Sequence, residues 1–398
     1  MEFRFALEEE AFRQEVRAFL RSELPADWAT SGGGGGIGLG EGGEERWEFL
    51  RDFQRKLAGK GWLTLGWPKE HGGLAASHMM QVIYNEEMTY HRAPTQLGVG
   101  PDRVGPTIIL YGTDEQKQRL LPGIVNADEV WCQGFSEPGA GSDLASLQTR
   151  AVADGDYFVV NGQKIWTSFA HRADWCILLA RTDLDAPKHK GISYFLCDMT
   201  LPGIEIRPLV DIMGRHTFNQ LFFENVRIPR DCLIGDLNRG WYVAAATLDF
   251  ERSGINRVVA GYRMLEELTR YAAETKHDGR RLIDETGVRH RLADLAIEFE
   301  VGRTLAYRVA SMQARGQIPN AEASMSKLYG SELQQRLGGA GMEIVGLSGQ
   351  LEPESRWAPL EGRLEQFYLF ASALTVAAGT SEIQRGIIAI RGLGLPRG

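Results

Sequence analysis

The spacing of hydrophobic residues divides the chain into three segments. Near the N-terminus, Phe12, Val16, Phe19 and Leu20 recur at helical spacing with charged residues between them, which predicts an amphipathic helix. From Trp131 onward, short apolar runs are separated by glycine and proline, as is typical of strands. Helical periodicity then returns. The predicted domains are an N-terminal helical domain (residues 1–128), a middle β-domain (residues 129–235) and a C-terminal helical bundle (residues 236–398).

Turn signals define the strands of the middle segment. The Asp154-Gly155 and Asn161-Gly162 dipeptides are typical of two-residue hairpin turns. The second hairpin would place Trp166 at the end of a strand. Further strand-like runs are ADWCILLA (173–180), GISYFLC (191–197) and QLFFENVRIP (220–229). These features predict a compact, β-barrel-like domain.

The last segment carries two apolar stripes of helical period. The first belongs to a helix that we predict to begin at Gly240, and its members are Leu248, Glu251, Ile255, Val258, Tyr262 and Leu265. The members of the second are Val288, Leu292, Leu295 and Phe299. Long helices with one apolar face pack as antiparallel bundles. The predicted fold class is therefore α+β and multi-layer, with helices, a β-domain and a four-helix bundle in that order.

Two local motifs refine the first segment. The TDEQ sequence at Thr113–Gln116 has capping-box spacing and predicts a short helix that ends before Pro122. A glycine-rich stretch contains a formal GxGxxG match at Gly38, Gly40 and Gly43. A dinucleotide-binding loop of that type follows a strand, whereas the preceding ELPADWATS is not strand-like. We interpret the stretch as a connecting segment.

Composition and charge argue against several classes of protein. The 398 residues are 43% hydrophobic and 24% charged, as in an ordinary soluble globular protein. The net charge of −8 and the lack of a basic stripe argue against a nucleic-acid partner. No apolar run approaches a membrane span of about 18 residues. The acidic N-terminus lacks the apolar core of a signal peptide, so we expect a cytoplasmic protein.

Cysteine usage agrees with that expectation. Cys132, Cys176, Cys197 and Cys232 show no CxxC spacing. In a chain of this size they are typical of reduced thiols in the core of a cytosolic protein. We predict no metal site.

Three stretches have the residue types of a cofactor site, and each also has a plain structural interpretation. CQGFSEPGAGSDLASLQTR (132–150) offers glycines and hydroxyl donors to a polar ring edge or a phosphate, or forms an ordinary tight turn. NGQKIWTS (161–168) brings a tryptophan to a strand end, where such a residue belongs more often to the core than to a cofactor wall. GTSEIQR (379–385) places Thr380 and Glu382 at a helix start, as an N-cap and an acidic first turn.

Taken together, the motifs of this chain resemble those of the acyl-CoA dehydrogenase family of flavoproteins. GWLTLGWPKEHGG (61–73), GTDEQKQRLLP (112–122) and FFENVRIP (222–229) join the three stretches in the family's order, over nearly the whole chain. The resemblance implies the family's helix–β–helix architecture, with FAD bound between the β-domain and the C-terminal bundle. The residues that match FAD contacts are Phe135, Ser136, Gly141, Ser142, Trp166, Ser168, Gln335, Gly338, Gly339, Thr380 and Glu382.

These matches have different roles in the family. Trp166 and Ser168 match the wall that packs on the isoalloxazine ring. Gln335, Gly338 and Gly339 match a segment that reaches the cofactor of a neighbouring subunit. The resemblance also implies the reaction, which oxidises an acyl-CoA thioester to its 2,3-enoyl product. A carboxylate removes the α-proton while hydride passes from the β-carbon to the flavin N5, and an electron-transfer flavoprotein then reoxidises the flavin.

The catalytic base is the main departure from the family's common pattern. That base is usually the glutamate of a YEGT tetrapeptide, which here reads AAGT, so Ala378 cannot accept a proton. A branch that includes the isovaleryl-specific enzymes carries its base on the first long helix of the C-terminal bundle, in an LDLER-like motif that matches residues 248–252. Glu251 is therefore the predicted base. Ser142, Asp249 and Arg252 match positions close to the substrate.

The position of Glu251 on an apolar stripe supports this assignment independently. A carboxylate on a buried face must be paired, protonated or functional, and desolvation raises its pKa toward the range of a general base. The alternative is a buried Glu–Arg pair, with Arg252 or another arginine, that serves packing alone.

A second departure concerns assembly. The family's RKxFGK-like segment, whose arginine contacts the cofactor pyrophosphate of the neighbouring subunit, reads Glu274-Thr275-Lys276-His277-Asp278-Gly279-Arg280 here. Thr275 replaces that arginine, and Lys276, Arg280 or Arg281 could substitute for it. We therefore expect either a homo-oligomer (dimer or tetramer) or a mixed tetramer with a related chain. A cofactor-poor partner subunit and an oxidase-type relative remain open as alternatives, and the acyl group is not specified.

Overall fold

The computed structural model describes residues 5–28, 43–250 and 254–396, except for the side chains of residues 249 and 250. The described residues fall into two compact units. One, which we call the helical unit, takes its residues from 1–35, 77–93 and 252–398. The other, which we call the β unit, takes its residues from 36–76 and 94–251. The N-terminal helices are therefore divided between the two units.

The β unit is built on one mixed sheet. Its strands are β1 (Trp131–Gly134), β2 (Arg150–Asp154), β3 (Tyr157–Ser168), β4 (Trp175–Arg181), β5 (Ile192–Asp198), β6 (Ile204–Leu209), β7 (Phe218–Pro229) and β8 (Leu233–Ile234). The strand order is β6-β7-β3-β2-β4-β5-β8, and β1 pairs in parallel with β4. Its helices are α2 (Glu44–Gly59), α4 (Gly105–Tyr111), α5 (Asp114–Val125) and α6 (Gly240–Phe250).

The two predicted hairpin turns have different outcomes. The Asp154-Gly155 turn is confirmed, because Asp154 pairs with Tyr157 across a two-residue loop in which Gly155 has a φ of 55°. The hairpin predicted at Asn161-Gly162 is wrong, because both residues lie inside β3 at an irregularity of its pairing with β7. Gly162 has a φ of 149°, and a Cβ there would lie 2.6 Å from the hydroxyl of Thr149. This dipeptide thus forms a bulge where another backbone passes closely.

The prediction that the four cysteines are free thiols in the core is confirmed, and all four lie in the β unit. All four cysteines are free and buried. Cys176 on β4 is the register partner of Cys132 on β1 and of Cys197 on β5, so three thiols form a row across adjacent strands. Burial raises the pKa of Cys132 and Cys197 well above the usual value, which keeps both thiols protonated and unreactive.

The helical unit packs its longest helices around one apolar core. Its helices are α1 (Leu7–Glu23), α3 (His78–Tyr90), α7 (Ile255–Glu274), α8 (Thr286–Ala314), α9 (Asn320–Val345), α10 (Arg363–Leu374) and α11 (Ser381–Ile387). A short hairpin, β9 (Lys276–His277) and β10 (Arg280–Arg281), follows α7. Helices α7 to α10 share a core that includes Leu268, Phe299, Leu333 and Leu364. The second predicted stripe lies in that core, because Leu292, Leu295 and Phe299 are buried on α8.

Two helix boundaries differ from the prediction. Helix α5 begins at the predicted capping box but continues through Pro122 to Val125, because Leu121 and Ile124 are buried on either side of the proline. The helix predicted to run on from Gly240 is interrupted at Gly254, immediately before α7 begins at Ile255. Gly254 before α7 has a φ of 74°, a left-handed conformation that a continuous helix excludes.

The order of a helical segment, a β segment and a second helical segment confirms the predicted fold class.

Among the described residues, no helix combines the length and apolar character needed to cross a bilayer. No group of metal-ligating side chains is assembled in the described part of the chain. Residues 59–67 belong to the β unit and residues 86–90 to the helical unit. Neighbouring segments of the predicted N-terminal domain therefore contribute to different cores.

A buried ionic network joins the first helix of the helical unit to its neighbours. Arg13 on α1 donates to Glu86 (2.9 Å) and Glu87 (2.6 Å) on α3. Arg17 makes a two-point contact with Glu87 at 2.8 and 2.9 Å, and Tyr307 on α8 donates to Glu86. Since both carboxylates are buried, removal of a cation leaves a charge that water cannot solvate.

We predict that Arg13→Ala lowers the free energy of unfolding of the helical unit by about 3–5 kcal/mol, because Glu86 and Glu87 lose their shared guanidinium. Thermal or urea denaturation followed by circular dichroism measures the change. Arg207→Ala, which breaks an exposed pair with Glu205 (56% and 59% side-chain exposure), is the control and should change the midpoint little. Equal midpoints for the two variants would show that the network does not contribute to stability.

Candidate active site

The first candidate stretch forms a tight turn that presents polar groups at the surface of the β unit. Glu137 and Ala140 exchange two backbone hydrogen bonds of 3.1 and 3.0 Å around Pro138-Gly139. Before the turn, Phe135 is buried edge-on against Tyr194, and Ser136 is half-buried. After it, Gly141 and Ser142 are exposed. The turn therefore leaves the hydroxyl of Ser142 free to face a ligand.

Trp166 is exposed rather than part of the core. It lies near the end of β3 with a φ of 60°, and 60% of its surface is accessible. Its ring meets Phe218 edge-on at 5.8 Å. The backbone N–H of Ile165, one residue earlier, donates to the carbonyl of Ser136 at 2.9 Å. The structure thus excludes core packing for this tryptophan and connects its strand to the glycine turn.

A polar cluster that the sequence analysis missed supports the same strand end. Asn219 on β7 donates its amide to the Thr167 carbonyl at 3.0 Å and to His171 Nδ1 at 3.1 Å, and its Oδ1 faces His216 Nε2 at 2.8 Å. The two imidazole rings stack with centroids 4.1 Å apart. Burial, and then the neighbouring His216, lower the pKa of His171. No sequence pattern connects these residues, because they lie on separate elements.

The third candidate stretch lines a cavity of about 620 Å³ in the helical unit. Gln335 on α9 and Thr380 and Glu382 at the start of α11 share this cavity with Ser381 and Arg385. Thr380 caps α11 by accepting from the Ile383 N–H at 3.3 Å. Hydrogen bonds at this helix start, from the backbone and then from Thr380, lower the pKa of Glu382. The predicted N-cap is therefore present, and the same residues are open to a ligand.

A buried lysine supports the turn that leads into this cavity. Lys327 on α9 is 3% exposed and donates to the carbonyls of Leu374 (3.1 Å) and Gly379 (2.7 Å). Ala378 and Gly379 both have positive φ values, 55° and 84°. The sequence analysis missed Lys327, because its partners are backbone carbonyls, which have no sequence signature.

The two neighbouring glycines of α9 have different surroundings. A Cβ added to Gly338 would lie 3.2 Å from the Tyr368 Cα, whereas a Cβ added to Gly339 would meet nothing within 4 Å. Gly338 therefore lies where α9 packs closely against α10, with little room for a larger side chain. Gly339, one turn from the exposed Gln335, is open to a cofactor or a partner.

Some of the predicted site residues lie outside the part of the chain that the structure describes. Glu251 and Arg252 lie outside the described residues, as do Gly38 and Gly40 of the glycine-rich stretch, and the side chain of Asp249 is also outside the description. In the segment that departs from the family's pattern, Asp278 and Gly279 form the turn of the β9–β10 hairpin.

The cations of that hairpin have unequal surroundings. Arg281 is paired with Asp284 at 2.8 Å. Lys276 and Arg280 are exposed, and within the described ranges neither has an ion-pair partner. Of the three candidate substitutes for the missing arginine, these two are therefore available to a phosphate.

The residues present fit FAD, the cofactor that the resemblance implies. The β unit offers an exposed indole beside half-buried and exposed hydroxyl groups at Ser136, Ser142 and Ser168, which suit a flat heterocycle with polar edges. The helical unit offers a polar cavity in whose lining Ser381 has a buried hydroxyl with no partner among the described residues. An unsatisfied buried hydroxyl is expected where a polar ligand supplies the missing hydrogen bond.

The chain belongs to the acyl-CoA dehydrogenase family. Sequence profiles of the family's N-terminal, middle and C-terminal domains match residues 7–128, 132–226 and 238–393. It is thus an oxidoreductase of this family.

Known proteins resemble the chain over its full length. The acyl-CoA dehydrogenase IpdE1 of Mycobacterium tuberculosis is 39% identical over 391 residues, which are 98% of each chain. A solved structure titled Tcur3481-Tcur3483 steroid ACAD superposes with a TM-score of 0.89 at 35% identity and full coverage of both chains. The ChsE4-ChsE5 complex of Mycobacterium tuberculosis also gives a TM-score of 0.89, at 36% identity and full coverage.

We predict that Gly338→Ala is less stable than Gly339→Ala by about 1 kcal/mol or more. Both changes gain the same helix propensity, but only the first forces α9 away from the Tyr368 backbone. Thermal denaturation of the two variants, compared with each other, isolates the packing difference. Equal midpoints would show that the helices adjust without strain and that Gly338 is not needed for packing.

Proposed function

We propose that this chain is an FAD-dependent acyl-CoA dehydrogenase that desaturates its thioester substrate between the α and β carbons, with Glu251 as catalytic base. The observation that carries the proposal is the exposed indole of Trp166, whose strand is hydrogen-bonded to the Ser136–Ser142 segment through Ile165 and Ser136. An exposed tryptophan held with positive φ is costly unless it has a function. A flat cofactor would cover it.

The proposed base follows from what the AAGT turn lacks. Ala378 has no group that accepts a proton, although its turn is built as a defined, left-handed loop. The LDFER motif supplies the carboxylate at Glu251 instead. This carboxylate would take the α-proton, and the neighbouring Asp249 and Arg252 would orient the thioester and the CoA arm. A base of this type typically contributes about 10²- to 10⁴-fold to the rate.

The bound FAD would supply the acceptor for the hydride that leaves the β-carbon. Phe135, Ser136, Gly141 and Ser142 would hold the ring edge through backbone and hydroxyl groups. Trp166 and Ser168 would form the wall against the ring.

In the helical unit, Thr380 and Glu382 would contact FAD, and Gln335 and Gly339 would reach the cofactor of a neighbouring subunit. The 620 Å³ cavity that contains Gln335, Thr380 and Glu382 supports a ligand contact for all three residues, without dividing them between two cofactors. Gly338 would act indirectly, by setting the distance between α9 and α10.

We also propose that the chain works in a mixed assembly with a related subunit. Two observations support this. Thr275 and Asp278 stand where the family places the arginine and phenylalanine of the RKxFGK-like segment, and one similar solved structure is titled as a complex of two differently named chains, ChsE4 and ChsE5. The exposed Lys276 and Arg280 would bind phosphate at one class of subunit contact.

The reduced enzyme would pass electrons to an electron-transfer flavoprotein in the cytoplasm, where the buried free thiols stay reduced.

A second candidate function is a subunit that completes the site of its partner and holds no cofactor. Thr275 favours it, and the intact turn and exposed indole of the β unit favour the enzyme. The purified assembly separates the two, since Glu251→Gln in this chain abolishes the bleaching of its flavin by acyl-CoA if the chain is the enzyme, and leaves it unchanged if the chain is a cofactor-free subunit. Because one similar structure is titled a steroid ACAD, the substrate panel should include ring-bearing, branched and straight acyl groups.

We predict that Glu251→Gln keeps FAD bound and lowers the rate of flavin bleaching by acyl-CoA by about 10²- to 10⁴-fold, because an amide cannot accept the proton. Anaerobic stopped-flow absorbance measures the rate. Glu352→Gln, at an exposed glutamate, is the control and should react like the wild type. A Glu251→Gln variant that bleaches at the wild-type rate would assign the base to another residue.

We predict that Trp166→Ala weakens FAD binding by about ten-fold, because the ring loses a stacking surface worth about 0.5–1.5 kcal/mol beyond its buried area. Fluorescence titration of the apoprotein with FAD measures the affinity. Trp357→Ala removes a tryptophan of similar exposure, 71%, from the helical unit and should leave the affinity unchanged. Identical affinities for both variants would reject the placement of the flavin on Trp166.

A further inference from the structure

A buried ion pair lies directly beneath the candidate flavin surface of the β unit. Lys164 on β3 is fully buried, and its Nζ donates to Glu137 Oε1 at 2.7 Å and to the Phe135 carbonyl at 3.1 Å. Glu137 is 8% exposed. A fully buried lysine is rare unless its charge is paired, and none of the proposed chemistry uses this one.

Glu137 is also bound from the opposite side. Its Oε2 accepts from the Gln148 N–H at 2.7 Å, and its Oε1 accepts from the Thr149 N–H at 2.9 Å. Both residues lead into β2. The carboxylate thus ties the tight turn of residues 137–140 to the start of one strand, while Lys164 ties the same turn to the neighbouring strand.

The contacts of the pair enclose the residues that we assign to the flavin. The lysine holds the carbonyl of Phe135, immediately before Ser136, and Glu137 begins the turn that leads to Gly141 and Ser142. Lys164 itself lies two residues before Trp166 on β3. The ion pair therefore bridges the two separate pieces of the candidate surface, the turn and the strand of the indole, beside the backbone hydrogen bond from Ile165 to Ser136.

Stability alone does not account for this pair. Desolvation lowers the pKa of Lys164 to about 8, against the attraction of Glu137, so burial of the ammonium opposes folding. Buried ion pairs of this type are often replaced by apolar residues of similar size with no loss of stability. What an apolar pair cannot do is bind the Phe135 carbonyl and two backbone N–H groups at fixed positions.

We propose that Lys164 and Glu137 are positioning residues for the cofactor, and that their ion pair holds the Phe135–Ser142 turn and the Trp166 strand in the arrangement that binds FAD. The proposal rests on the proposed function, because it takes FAD as the ligand of this surface. It goes beyond that function in assigning a role to two residues that need not touch the cofactor.

The test compares a charge-free pair with a control pair on the two strands that flank β3. The double variant Lys164→Met/Glu137→Gln removes the charges and keeps one amide oxygen, which can accept from one of the two backbone N–H groups. The control Arg227→Met/Asp154→Asn removes an exposed pair, with 51% and 58% side-chain exposure, between β7 and the end of β2. FAD affinity, the visible circular dichroism of bound FAD and the thermal midpoint of each apoprotein are measured.

For the charge-free pair, we expect an FAD dissociation constant at least ten-fold higher and an altered flavin dichroism, with an apoprotein midpoint close to wild type. The control should match the wild type in all three measurements. Wild-type affinity and dichroism in the charge-free variant would overturn the proposal, as would a loss of affinity explained entirely by a collapsed midpoint. A wild-type protein that binds no FAD, both as the isolated chain and in its assembly with a related subunit, would instead refute the proposed function, so the two failures are distinguishable.

The pH dependence of FAD affinity provides a second test, because a role in packing alone would not make the affinity depend on the charge of Lys164. The titratable groups against Lys164 are Glu137 and the buried thiol of Cys176 on β4. Because the Lys164 ammonium loses its proton as the pH rises through about 8, wild-type FAD affinity should fall over that range. The charge-free variant should lack this step, and an identical step in both proteins would contradict the proposal.

Discussion

The pairing of β3 with β7 is the constraint on which the candidate site of the β unit depends. The ladder between these strands is irregular at two places, between Val160 and Gly162 and between Lys164 and Thr167. The second irregularity contains Trp166 in a left-handed conformation. A regular strand would alternate its side chains between the two faces of the sheet. The irregular one instead buries the ammonium of Lys164 and exposes the indole two residues later.

The two units use a similar device to hold their candidate cofactor surfaces. In the β unit, Lys164 donates to a backbone carbonyl of the glycine turn, and in the helical unit Lys327 donates to two carbonyls around the AAGT turn. In each case a buried ammonium fixes a loop that contains glycine, Gly139 and Gly141 in the β unit and Gly379 in the helical unit. The loops can thus present backbone groups closely to a ligand without being mobile, because a neighbouring strand or helix holds them from beneath.

The sequence predicted most of the fold because its signals are local. Alternating apolar runs, the Asp154-Gly155 turn and the Thr113 capping box each depend on residues a few positions apart. The errors arose where distant residues decide the outcome. Gly162 forms a bulge because Thr149 lies against it, and α5 passes through Pro122 because its two sides are buried. Family motifs identified the turn, the indole and the start of α11, whereas the pairs beneath them, Lys164 with Glu137 and Lys327 with its carbonyls, involve contacts that no local pattern indicates.

The row of thiols on β1, β4 and β5 gives the β unit an internal reporter of its own opening. While the sheet is intact, Cys132, Cys176 and Cys197 are buried, and a thiol must be both accessible and deprotonated to react. An alkylating reagent can therefore modify them only during transient separation of the central strands. The labelling rate of the native enzyme then measures the frequency of that separation, with no introduced probe.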